Sequence, residues 1–184
     1  EAVKLLEKIS GENSPETPLS ANFSKTLASG ITGTVPVVYG FGIYRGVAQR
    51  FKQQFNENSK VPAKWEFFPE LDHNEIVGWE GAQELAKHFS IIFIRDSDEP
   101  EVMQRRIEAT KELISREPVR MFEGQSVGKS TRAKMSSVIC TGDFVSVYLA
   151  VLRGIDPTPV KTIALLKERM KQSGVRQKVS RELT

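Results

Sequence analysis

Two side chains in this sequence are of the types that a proton-transferring enzyme needs. One is the carboxylate Glu57, set in Asn56-Glu57-Asn58; the other is the imidazole His73, sixteen positions on, in Pro69-Glu70-Leu71-Asp72-His73-Asn74-Glu75. Histidine is the one side chain whose unperturbed pKa lies near neutrality, and the chain has only two. The stretch around His73 is polar and falls between apolar segments. That predicts a loop, and loops held by a rigid scaffold often carry chemistry. Spacing alone leaves the ordinary alternative standing, a solvated glutamate near a helix end and a hydrogen-bonded structural histidine, because perturbed ionisable groups also serve structure.

The elements that must position these groups follow from the apolar patterning. Residues 1–9 read as a short helix, residues 11–18 as a linker rich in Gly, Asn, Ser and Pro, and residues 20–29 as a second helix. Val35-Pro36-Val37-Val38-Tyr39-Gly40 is a short β-branched run closed by glycine, the pattern of a buried parallel strand. Val47, Phe51 and Phe55 recur every four residues and predict an amphipathic helix over 43–58. Further strands are expected at 64–68, 90–94 and 119–122, with helices over 81–88 and 99–116. Residues 143–153 are apolar nearly all round, which predicts burial, and Gly154 and Pro157 end that helix. A last helix over 159–171 places Val160, Ile163, Leu166 and Met170 inward, ahead of a polar, fraying tail. Strands alternating with helices predict an α/β fold, mainly parallel, with helices on both faces of the sheet.

Composition narrows the function classes. With 184 residues, 39% hydrophobic and 27% charged, the chain suits one globular domain. Its net charge of +3 is scattered, so no nucleic-acid partner is expected. The single cysteine, Cys140, excludes an intrachain disulfide and suits a reducing cytoplasm. No apolar run reads as long enough to span a bilayer, so no membrane partner is expected. The chain opens Glu1-Ala2-Val3-Lys4 with neither a signal peptide nor an initiator Met, and is expected to be part of a longer protein.

Other motifs are weaker. Tyr39-Gly40-Phe41-Gly42-Ile43-Tyr44-Arg45-Gly46 ends a strand and opens a helix, but its glycines fall as G-x-G-x-x-x-G, off the dinucleotide fingerprint. Gly40 and Gly42 remain candidates for close approach of a phosphate or sugar. Gly124-Gln125-Ser126-Val127-Gly128-Lys129-Ser130-Thr131 has three residues between its glycines where a P-loop needs four. Neither zinc-ligand spacing nor a nucleophile elbow is present, so no metal and no cofactor is expected and acid/base catalysis remains.

Five ordered segments carry a family resemblance: residues 35–40, Gly46-Val-Ala-Gln-Arg-Phe-Lys, Asn56-Glu-Asn-Ser-Lys60, residues 69–79 through Trp79, and residues 148–160 with Asp-Pro-Thr-Pro. Together they resemble the C-terminal half of bifunctional phosphoglucose/phosphomannose isomerases, members of the sugar isomerase (SIS) superfamily. The resemblance runs from about Pro18 to Lys171. It implies a flavodoxin-like SIS domain with a five-stranded, mainly parallel sheet, normally preceded by an N-terminal SIS domain and working as a homodimer. The domain boundaries expected from it are 1–18 for an interdomain helix and linker, 19–173 for the SIS domain and 174–184 for the tail.

The implied activity is interconversion of glucose 6-phosphate or mannose 6-phosphate with fructose 6-phosphate through a cis-enediolate. The implied roles are Glu57 as the proton-transfer base, partly desolvated, and His73 in ring opening from the neighbouring subunit. The sixteen-residue offset between them also resembles the isomerase domain of glucosamine-6-phosphate synthase. A C-terminal lysine assists ring opening, Lys167 by its place in the last helix or else Lys161, and Thr158 leaves room for either C2 epimer. The family's phosphate-gripping Ser-x-Ser-Gly-x-Thr loop lies in the N-terminal domain and has no match here, so little activity is expected from these residues alone. SIS domains also serve as non-catalytic sugar-phosphate sensors, a role in which a proton-transfer pair has no use.

Overall fold

The computed structural model describes residues 1–182. The chain opens with α1 (Ala2–Glu12), a 3₁₀ turn at Leu19–Ala21 and α2 (Phe23–Ile31). Alternation then sets in: β1 (Val35–Phe41), α3 (Tyr44–Glu57), β2 (Lys64–Phe68), a 3₁₀ turn at Glu70–His73, α4 (Glu75–Trp79), α5 (Gln83–Ala86) and β3 (Phe89–Arg95). It closes with α6 (Glu101–Ile114), β4 (Arg120–Gln125), α7 (Thr131–Leu152), α8 (Lys161–Gln172) and α9 (Val175–Glu182).

The strands form one parallel sheet in the order β2-β1-β3-β4. Among the described residues it has four strands where five were expected. The segment that follows α7 carries Pro157 and Pro159, which lack the N–H a ladder needs, and it leads into α8 instead. Helices α2, α3 and α7 cover one face, with α1 packed on the outside of α7; α4 and α6 lie together on the other. β1 runs through the middle, and Val37, Val38 and Tyr39 are buried with Ile91, Ile92 and Phe93 of β3. Pro36 is tolerated in this central strand because of register. Val35 N–H donates to His88 O on the β3 side, so the pleat turns the Pro36 nitrogen toward β2, which pairs only from Val37 onward.

Several boundaries shift from the expectation. α1 continues through Gly11 to Glu12 and packs on α7 with Ile9 buried. Asn13 beyond it is fixed by bonds to Ile9 O (2.9 Å) and from Ser24 N–H (3.0 Å), and its own carbonyl accepts from Tyr148 Oη (2.5 Å). The expected helix over 81–88 is the short α5 alone. The polar tail is helical over 175–182, and residues 183–184 lie outside the described residues.

α7 starts at Thr131, twelve residues before the expected Asp143, and it is not buried all round: Val147, Val151 and Leu152 are exposed. At 22 residues it is long and apolar enough to cross a bilayer by length and composition, contrary to the sequence reading. The helix instead packs on α1, α2 and α3, with Val138, Val145 and Leu149 in the hydrophobic core, as in a core helix. Val160 just ahead of α8 and Ile163, Leu166 and Met170 on it, expected inward, are all exposed, because among the described residues the main packing partner of α8 is α9.

The tightest junction is between β1 and α3. A Cβ added at Gly40 would lie 2.5 Å from Tyr44 O and 3.1 Å from Ala48 Cβ, so the missing side chain lets the first turn of α3 close on the strand. Gly40→Ala is therefore expected to destabilise the fold by about 2 kcal/mol, the usual cost of overpacking. Denaturant unfolding measures it, and an unchanged midpoint refutes it.

Candidate active site

Open parallel sheets ordinarily take ligands beyond the carboxyl ends of their strands, where strand order reverses. Here that point lies between β1 and β3, and it is filled by the protein's own side chains. Tyr44 Oη donates to Asp96 Oδ2 (2.6 Å) and lies 2.8 Å from Ser126 Oγ, while Lys134 Nζ reaches Asp96 Oδ1 (2.8 Å) and Asp98 Oδ2 (2.6 Å). Burial first, then the bond to Asp96, pushes the Tyr44 hydroxyl up to about 12. Burial opposes the Asp96 charge, yet the bonds from Lys134 and Tyr44 hold its carboxyl below its ordinary value. The bonds to Asp96 and Asp98 raise Lys134.

Neighbouring features at this edge are also self-satisfied. A 340 Å³ recess lined by Arg95, Glu99, Glu108 and Glu123 holds paired charges: Arg95 donates to all three glutamates, and Lys111 to Glu108 (3.0 Å) and Glu123 (2.7 Å). In the 124–131 loop the Glu1 carboxylate accepts from Lys129 N–H (2.6 Å) and Ser130 N–H (3.3 Å), where a P-loop would hold phosphate. Gly42, with φ of 49°, has open space where a side chain would be.

His73 sits at this same edge, in the 3₁₀ turn just after β2, and is exposed. Its neighbours are fixed. Asp72 accepts from Arg106 Nη1 (2.8 Å) and Thr110 Oγ1 (2.9 Å) of α6, and Leu71 is fully buried. Glu75 accepts from Tyr39 Oη (3.1 Å) and pairs with Lys64 (2.9 Å), and Trp79 Nε1 donates back to Tyr39 Oη (3.0 Å). Burial and Glu75 push the Tyr39 hydroxyl well up, and burial with Glu75 also raises the Glu66 carboxyl. The imidazole thus stands on a backbone anchored from both sides.

Glu57 lies at the opposite edge. α3 starts above the carboxyl end of β1 and runs back along the sheet, so its last residue falls beside the strands' amino ends. α7, following β4, runs the same way and delivers the 153–160 loop to the same place. Between them opens a cleft of about 590 Å³ lined by Asn56, Glu57, Lys60, Asp156, Lys161 and Ile163 among others. Glu57 is exposed, against the expected partial desolvation. The backbone around it is held by Asn56 Nδ2 donating to Val61 O (2.8 Å), Asn58 Nδ2 to Ser146 Oγ (2.8 Å) and Ser59 Oγ to Ser146 O (2.6 Å). Thr158 N–H donates to Asp156 Oδ1 (2.9 Å), which lowers the Asp156 carboxyl.

The structure therefore brings Glu57 and Lys161 to one cleft, with exposed Thr158 on the adjoining loop. Lys167 lies farther along α8 and does not line that cleft. Gly40, Gly42 and His73 sit across the sheet; β2 alone, between Glu57 and His73, spans roughly 13 Å. The side chain missed in the sequence is Lys60, whose ammonium donates to Glu57 O and to Pro157 O (3.0 Å). Its advance signals were its place three residues after Glu57 and its inclusion in the Asn56-Glu-Asn-Ser-Lys60 segment.

Fold and cleft define an open parallel α/β domain that carries a carboxylate and lysines at the amino edge of its sheet. A family model described as the bacterial phospho-glucose isomerase C-terminal SIS domain matches residues 20–170, and the chain belongs to that family. It is 39% identical over 171 residues to the bifunctional phosphoglucose/phosphomannose isomerase of Caldicellulosiruptor bescii, covering 92% of this chain and 50% of the relative. With that of Aquifex aeolicus it shares 37% over 148 residues, 80% of this chain and 46% of the relative. The chain spans about half the length of the curated relatives it matches. Among solved structures, a glucose-6-phosphate isomerase like protein from Thermus thermophilus matches with a TM-score of 0.73 at 20% identity, covering 90% of this chain and 53% of that one, a likeness of fold.

The Tyr44, Asp96 and Lys134 network carries a pH signature. Raised folded values for Tyr44 and Lys134 stabilise below their unfolded values near pH 10, and that contribution is lost as pH rises through about 12 for Tyr44. Lowered Asp96 acts oppositely, stabilising above about pH 4 and failing as pH falls through its folded value. Tyr44→Phe is expected to make the alkaline limb of a stability-against-pH curve shallower between about pH 10 and 12. A limb as steep as the wild type's refutes the assignment.

Proposed function

We propose that this chain supplies the acid/base half of an aldose-ketose isomerase that interconverts glucose 6-phosphate or mannose 6-phosphate with fructose 6-phosphate. The observation that carries the reading is Glu57, exposed at the wall of the 590 Å³ cleft beside Lys60 and Lys161, in a chain of the phospho-glucose isomerase family. Isomerisation removes the C2 proton of the open-chain aldose and returns one to C1 of a cis-enediolate. Both carbons present the same face, so one carboxylate performs both transfers and no metal is required. Glu57 is that base.

The ring must open first, which needs a proton on the ring oxygen and one taken from the anomeric hydroxyl. His73 and a lysine serve there. Lys161, in the cleft with Glu57, fits better than Lys167. Because the sheet separates His73 from Glu57 within one chain, the histidine of a working site comes from the second subunit of a homodimer. Thr158 borders the sugar on the loop beside Asp156. The phosphate is held by the Ser/Thr loop of a preceding SIS domain, and residues 1–184 by themselves turn over little substrate.

Glu57→Gln in the full-length protein is expected to lower kcat for fructose 6-phosphate by at least about 10²-fold while sugar phosphate still binds, because general acid/base catalysis contributes on that order. A coupled assay measures it, and undiminished turnover sinks the reading; binding without turnover by the wild type makes the protein a sensor. The shared site has its own test. Mixing inactive Glu57→Gln and His73→Ala homodimers and letting subunits exchange is expected to restore about a quarter of wild-type activity, since half the dimers gain one intact site. No recovery on proven exchange refutes the subunit crossing.

A further inference from the structure

Lys60 ends the turn after α3 with φ of 53°, a left-handed conformation that is unfavourable for any residue with a Cβ and that clusters at functional sites. Glycine would hold this turn without strain. What a lysine adds is its ammonium, which donates to the main-chain oxygens of Glu57 and Pro157. Those two carbonyls belong to opposite walls of the cleft, the last turn of α3 and the loop that carries Asp156 and Thr158. A cation at a helix C-terminus is favourable in itself, since it meets the exposed carbonyl ends. The other bonds around Glu57, from Asn56, Asn58 and Ser59, run to Val61 or to Ser146 and leave the 155–160 loop untouched. Among the described residues, only the Lys60 hydrogen bonds join the two walls.

We infer that Lys60 is a positioning residue for Glu57: its ammonium ties the helix end bearing the base to the Pro157-Thr158 loop and so sets the distance between the base and the sugar-facing wall. The inference rests on the isomerase reading of the cleft. It explains why a strained lysine stands where glycine would be easier. A bridge from a side chain to two main-chain oxygens also leaves the Glu57 carboxylate free for chemistry, which an ion pair to that carboxylate would not.

The test compares Lys60→Gly, Lys60→Met and Glu57→Gln in the full-length protein with fructose 6-phosphate as substrate. Lys60→Gly relieves the strain as it removes the ammonium, so it is expected to keep the wild-type melting temperature while kcat falls about 10- to 100-fold and KM stays within about threefold, the scale of a misplaced catalytic group. Lys60→Met, which keeps stem and strain, is expected to lose kcat to the same extent. Unchanged kcat in both lysine variants overturns the inference. A melting temperature that falls in step with kcat in Lys60→Gly also overturns it, by making Lys60 a structural peg, and so does a KM raised more than tenfold at constant kcat, by making it a substrate contact. Loss of turnover in Glu57→Gln alone leaves the isomerase reading standing without the bridge, whereas full turnover in Glu57→Gln removes both.

Discussion

Parallel pairing of β1 with β2 is the constraint on which the rest of this structure depends. Two parallel strands cannot be joined by a hairpin; the chain must cross back over the sheet, and α3 makes that crossing. The return carries every residue at the end of α3 to the amino edge of the strands. The peptide that follows β2 is carried, by the same geometry, to the carboxyl edge. Glu57 and His73, sixteen residues apart in sequence, end on opposite rims of one sheet, and no side-chain rotation brings them together.

α7 translates that division into two differently built rims. Near its start Lys134 is drawn into the Asp96 and Tyr44 network and closes the crevice where a ligand would ordinarily enter. Near its end Ser146 holds Asn58 and Ser59, and Asp143 accepts from Gln54 (2.7 Å), so the end of α3 is registered against α7. Close approach of the two helices is possible because Gly142 faces Phe51; a Cβ there would sit 2.8 Å from the ring. The carboxyl rim is packed with ion-paired side chains, while the amino rim is left open, lined by Glu57, Lys60 and Lys161.

Much of the scaffold was legible because period and composition agree with burial. β1, β2, α3 and β3 fall within a residue or two of their expected places, since Val47, Phe51 and Phe55 repeat on one face and the runs of β1 and β3 are apolar on both faces. The failures share a cause. A helical stripe such as Val160, Ile163, Leu166 and Met170 shows that a helix has an apolar side, but not whether this chain supplies the surface to cover it. The apolar stretch over 143–153 predicts burial throughout for the same reason, and the polar segment around His73 predicts a loop, whereas Leu71, Asp72 and Glu75 anchor it in short helical turns.

By itself the sequence determined which side chains are available and on which kind of element each lies: a carboxylate at a helix end, an imidazole beyond a strand, lysines on the last long helix, and five motifs in order. Those are local properties, set by spacing, capping and turn residues. Only the tertiary structure decided that the carboxylate shares a cleft with Lys60 and Lys161 and not with His73, that the switch-point crevice is filled by Tyr44 and Asp96, and that Lys167 stands apart. The physical reason is that crossover direction and helix packing act between segments far apart in the chain, and neither leaves a mark on the residues nearby.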